Sequence, residues 1–161
     1  MHDNVRLRAF VSGGRQVTGA PALDYGTFIE RKTQLDGDHG FDPAWMPDFL
    51  FPFQRSLVEW ATRKGRAAIF ADCGLGKTPM QLVWAENVRR HTGKPVLILT
   101  PLAVSYQTVE EARKFGIDAA VSRDGTADAP IVITNYERLH YFQPDTFGGV
   151  VCDESSAIKT F

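Results

Sequence analysis

From residue 52 onward the chain alternates between two hydrophobic patterns. Between Phe53 and Lys64, apolar Phe53, Leu57, Val58, Trp60 and Ala61 recur at helical spacing, with Pro52 suited to a first turn and Gly65 to a stop. Ala67–Ala71 (AAIFA) is a short continuous apolar run, the pattern of a strand buried on both faces. Lys77–His91 returns to helical spacing through Met80, Leu82, Val83, Ala85 and Val88, and its basic end suits the negative end of a helix dipole. Val96–Thr100 (VLILT) reads as a second buried strand, and Val104–Phe115 as a helix closed by Gly116. Ala119–Ser122 follows as a short edge strand, Ile131–Thr134 (IVIT) as a strand, Tyr136–Tyr141 as a short helix, and Val150–Cys152 as a strand running into Asp153. Strands alternating with helices predict an α/β fold with a parallel sheet. Ligands of such sheets bind at the carboxyl ends of the strands. Asp72–Thr78, Thr100–Pro101, Thr134–Asn135 and Asp153–Glu154 fall at those ends.

The first 45 residues carry less pattern. Tyr25–Leu35 fits a short helix, Asp36–Asp42 a loop, and Pro43 and Pro47 bracket Trp45 in an extended segment. Composition places the 161 residues among ordinary globular chains, with 43% hydrophobic, 23% charged and 11% aromatic residues. A formal charge of −1 excludes a globally basic nucleic-acid binder and leaves room for a local basic groove. No apolar run reaches the roughly 20 residues of a membrane helix, and the N-terminus has no signal-peptide core. Cys73 and Cys152 stand outside any CxxC or Cys/His cluster and read as reduced thiols of a cytoplasmic protein.

The chemistry concentrates at two places. Ala71–Thr78 reads A-D-C-G-L-G-K-T, after a predicted strand and at the start of a predicted helix. Gly74 and Gly76 let the backbone curl so that the N–H groups of Gly74, Leu75 and Gly76 turn toward a phosphate. The helix N-terminus adds partial positive charge. Lys77 supplies a point charge for the β and γ phosphates of ATP, and the Thr78 hydroxyl a ligand for Mg²⁺. Val150–Glu154 (VVCDE) is an apolar strand ending in two carboxylates. Beside such a loop, Asp153 suits Mg²⁺ and Glu154 suits polarising an attacking water.

These segments, in this order, resemble superfamily 2 helicases, and within them the Swi2/Snf2-like group. Leu50–Arg55 (LFPFQR) is similar to the Q motif, which implies that Gln54 recognises the adenine edge. Phe70–Thr78 (FADCGLGKT) resembles motif I. Val96–Leu102 (VLILTPL) resembles motif Ia and Ile131–Leu139 (IVITNYERL) motif Ib, implying nucleic-acid contacts at Thr100, Pro101, Thr134 and Asn135. Val150–Lys159 (VVCDESSAIK) resembles motif II, the D-E-x-H box, with Ser156 where the family has histidine. The lead-in GFDPAWMPDFLFPFQ looks most like the helicases of bacteriophages and prophages.

The resemblance implies a P-loop NTPase, RecA-like domain over residues 46–161, with 1–45 as an N-terminal extension. It implies ATP and Mg²⁺ as cofactors and double-stranded DNA as a partner. Because the sequence given stops just after the motif II segment, a second RecA-like domain with its arginine finger is expected C-terminal to it, and turnover by this chain alone is expected to be slow. In such folds a further strand lies between those of motifs I and II. Its absence predicts either a gap between Ala67–Ala71 and Val150–Cys152 or their direct pairing, with low stand-alone stability. Two alternatives stand beside the motor: a non-catalytic nucleotide-binding module and a small P-loop phosphotransferase. Arg89, Arg90 and Lys94 read as a solvated helix end. Trp45, Phe49, Phe51 and Phe53 read as core aromatics, with the adenine pocket as the alternative role for one of them.

Overall fold

The computed structural model describes residues 38–154, so Tyr25–Leu35, where a short helix is expected, and Ser156 lie outside the described residues. Helix α1 spans Pro52–Lys64 and α2 spans Lys77–Thr92. Strand β1 (Val96–Thr100) leads through a 3-10 turn (Leu102–Val104) into α3, Ser105–Lys114. Strands β2 (Ala119–Val121) and β3 (Ile131–Asn135) follow. Two 3-10 segments, Tyr136–Tyr141 and Pro144–Thr146, precede β4, Gly149–Cys152.

The four strands form one parallel sheet in the order β2-β3-β1-β4. Every residue of β1 and β3 is buried, as their unbroken apolar runs require. Their side chains alternate between two cores. Val96, Ile98, Ile131 and Ile133 pack with Leu82, Ala85 and Val88 of α2 and Ala112 of α3. Leu97, Leu99 and Val132 face the other way, where Tyr136 and Phe142 cover them. Thus α-helices cover one face of the sheet and the shorter 3-10 segments the other.

Helix α1 rests on α2 through Leu50, Val58, Met80 and Val83. A buried polar contact fixes the chain that leads into α1. Asn87 accepts a hydrogen bond from the Trp45 N–H at 2.9 Å and donates to the Trp45 carbonyl at 2.8 Å. Its amide is fully enclosed, so these bonds satisfy a group that would otherwise be costly to bury. Phe49 stacks on Phe115 with ring centroids 4.3 Å apart, whereas Phe51 and Phe53 stack on each other at the surface.

One predicted strand is missing. Residues 67–71 carry no strand pairing and stand apart from the sheet. A cleft of about 600 Å³ separates them from β4, and both sides line it. Of the two arrangements expected for this pair, the gap is the one seen. An apolar run becomes a strand only when a neighbour takes up its backbone hydrogen bonds, and β4 is held away by the cleft.

Candidate nucleotide site

The loop that leaves residues 67–71 bends back through two left-handed glycines into α2. Gly74 has φ +82° and Gly76 has φ +70°, conformations that disfavour a side chain. Gly76 is also closely approached: a Cβ there would lie 2.4 Å from Gln54 Nε2. Gly76 is the N-cap of α2, so the helix begins at Lys77 and its free N–H groups open at the loop. Cys73 and Leu75 are exposed on the same loop, and Thr78 is half-buried in the first turn of α2.

Gln54 braces this loop from α1. It is 4% exposed, accepts a hydrogen bond from the Phe51 N–H at 2.9 Å, and donates to the Leu75 carbonyl at 3.0 Å. Both ends of its amide are therefore engaged with protein. In this conformation its role is to hold the loop, and a contact with an adenine edge would compete with those bonds. Lys77 Nζ likewise donates to the Ala71 carbonyl at 3.0 Å, folded across its own loop.

The carboxylate pair reaches the same place from β4. The Asp153 N–H donates to the Leu99 carbonyl at 2.8 Å, extending the β1–β4 ladder by one residue. Gln81 Nε2 donates to Asp153 Oδ1 at 2.8 Å and ties the pair to α2. Tyr136, from the end of β3, donates its hydroxyl to the Asp153 carbonyl. Burial first, then the neighbouring Cys152, Asp153 and Glu154, pushes the Tyr136 hydroxyl up to about 12, so it stays a donor. Glu154 is the one non-glycine residue with positive φ, at 53°, among the described residues. Lys77, Gln81, Asp153 and Glu154 all line the cleft between residues 67–71 and β4. A cationic side chain and two carboxylates around one opening, beside the N-terminus of α2, can hold an anion and a divalent cation together.

The remaining predicted positions lie at the carboxyl edge of the sheet, mostly turned inward. Thr100 is buried and shares a 2.9 Å hydrogen bond with the Ser105 hydroxyl. Thr134 is buried, and its hydroxyl has no hydrogen-bond partner among the described residues. The Asn135 amide donates to Glu137. Pro101 is half-exposed beside exposed Leu102. Only Pro101 of these four thus presents appreciable side-chain surface outward in this conformation. Arg89 and Arg90 both bind Glu86 at 2.8 Å, a local ion-pair cluster at the helix end, and Lys94 beyond it donates to the Asp145 carbonyl at 3.0 Å.

Sequence reading missed Gln81 and Tyr136. Gln81 lies 72 positions from its partner and Tyr136 lies 17 from its own, and no local pattern marks either contact. The apparent signal was position alone: Gln81 lies one turn into α2 and Tyr136 just past a strand end.

The chain is similar to protein p41 of Acyrthosiphon pisum secondary endosymbiont phage 1. The two are 29% identical over 131 residues, covering 68% of this chain and 28% of that protein. The chain therefore spans well under a third of the length of this relative. No family model matches the chain, and no solved structure matches it. Among the described residues, no helix is long and apolar enough to cross a membrane.

Proposed function

We propose that this chain is the ATP-binding part of a DNA-dependent motor of the superfamily 2 helicase type, closest in motif pattern to the Swi2/Snf2-like group and of phage or prophage kind. The observation that carries the reading is that Lys77, where the glycine loop enters α2, shares one cleft with Asp153 and Glu154, and that Gln81 of the same helix is hydrogen-bonded to Asp153. The parallel sheet supplies the scaffold, and the site falls at the carboxyl end of β4, where ligands of such sheets bind. In this reading the fold is a RecA-like P-loop domain.

The residues fit Mg-ATP. Gly74, Leu75 and Gly76 would cradle phosphate through their N–H groups, with Lys77 swinging from the Ala71 carbonyl to the phosphates. The Asp153 carboxylate is met by a neutral amide rather than a cation, so its charge remains for Mg²⁺, with Thr78 as the second protein ligand. When bound, the metal neutralises charge that develops on the phosphates. Glu154 would polarise the attacking water. Gln54 contributes by holding the loop.

Double-stranded DNA and a second RecA-like domain are the proposed partners. Without an arginine from such a domain, turnover is expected to fall by on the order of 10³–10⁵. Phosphate release with and without duplex DNA tests the motor reading. The chain alone should turn ATP over very slowly, and the same chain joined to its second domain should be stimulated by DNA. Rapid turnover by the chain alone, or phosphoryl transfer to a small acceptor, would contradict it.

A further inference from the structure

We propose that Tyr136 is a positioning residue for the carboxylate pair: its hydroxyl holds the peptide between Asp153 and Glu154 in the orientation that the left-handed backbone of Glu154 requires. The proposal deepens the nucleotide reading and rests on it.

Tyr136 follows β3 directly, and its ring is buried against Leu97, Leu99, Val132 and Phe142. The ring is thus fixed by packing on the face of the sheet that α-helices do not cover. From that anchor the hydroxyl donates to the Asp153 carbonyl. That carbonyl and the Glu154 N–H belong to one planar peptide, so holding the oxygen sets the plane from which Glu154 φ is measured. Glu154 has φ 53°, a conformation that a residue with a Cβ keeps only when its surroundings impose it. Asp153 is held at its N–H by Leu99 and at its carboxylate by Gln81. The carbonyl is the third point of attachment and the one adjoining the strained residue. The Glu154 carboxylate itself has no hydrogen-bond or ion-pair partner among the described residues, so nothing at its own end fixes its direction. The backbone clamp is what aims it.

The test is Tyr136→Phe in the intact chain, which keeps the ring in its pocket. ATP affinity is measured by calorimetry with and without Mg²⁺, and the denaturation midpoint is measured alongside. Loss of the clamp frees the Asp153–Glu154 peptide and with it the Asp153 carboxylate, so Y136F is expected to cut the magnesium enhancement of ATP affinity by about tenfold, the scale of a lost contact behind a metal ligand. Magnesium-free affinity should stay within about twofold, because the loop and Lys77 are untouched. Glycine adopts the left-handed conformation freely, so in a Glu154→Gly background the same substitution should change the enhancement by less than about twofold. An unchanged enhancement in the natural background, or equal losses in both backgrounds, would overturn the clamp. So would a parallel loss of magnesium-free affinity, which would mark Tyr136 as a packing residue. If the unsubstituted chain shows no magnesium-dependent ATP binding, the nucleotide reading fails and takes the clamp with it. If that chain binds and Y136F matches it, the clamp alone fails.

Discussion

The two sides of the sheet are built differently. On one side β1 and β3 pair along five residues, all of them buried, with β2 beyond. On the other, β4 pairs with β1 alone among the described residues, and its far edge faces the cleft, where Val150 is 48% exposed. Nearly all the candidate nucleotide chemistry lies on the second side: the glycine loop, Lys77, Asp153 and Glu154. The consolidated side carries most of the buried core, and the open side carries the candidate ligand groups. An unpaired strand edge beside apolar surface is also a liability for a chain on its own.

Truncating one apolar side chain on each side would break or confirm this contrast. Ile98→Ala, at the centre of β1 and fully buried, is expected to cost about 3–4 kcal/mol in chemical denaturation. Val150→Ala, on the open edge, should cost less than about 0.5 kcal/mol. Equal costs would show that the β4 side is as consolidated as the other.

A smaller effect sharpens the contrast at the loop. Gly76→Ala places a Cβ 2.4 Å from Gln54 Nε2 and forces φ +70° on a residue with a side chain. A loss of roughly 2 kcal/mol is expected, with disturbance of the start of α2. Unchanged stability and unchanged ATP affinity together would mean that the loop is not held as described.

A loss smaller than that at Gly76 is expected away from the cleft, at Glu86. Burial pushes its carboxyl up, but the hydrogen bonds and charges of Arg89 and Arg90 outweigh it and leave the pKa below its ordinary value. A carboxyl lowered on folding contributes stability above its unfolded-state pKa and loses it as pH falls through the folded value. Glu86→Gln should therefore lower stability near neutral pH and flatten the decline on acidification. The two arginines are 35% and 40% exposed, so solvent screening holds the loss to roughly 1 kcal/mol. An unaltered acid limb of the stability curve would show that the cluster is energetically silent.

Much of the architecture was legible because it is local. VLILT and IVIT are unbroken apolar runs, and both became strands buried on two faces. The α1 and α2 helices begin within one residue of the spacing-based expectation and end within one. The run AAIFA misled, because apolar composition cannot report whether a neighbouring strand is present to pair with it. Three alanines also bury little area, so packing alone does not pull the segment onto the sheet. The site was legible as residue types but not as contacts. Gln54, Gln81 and Tyr136 act across 21, 72 and 17 positions, and such distances are set by the fold rather than by spacing. Thr100 and Thr134 looked available at strand ends, yet strands buried on both faces carried them inward.

The most direct measurement is calorimetric titration of the chain and its Lys77→Ala variant with ATP in the presence of Mg²⁺. A phosphate site built on Lys77 predicts one site on the unsubstituted chain and an affinity at least about 100-fold weaker for the variant, the scale of losing one charged phosphate contact. No binding by the unsubstituted chain, or equal binding by both, would contradict it.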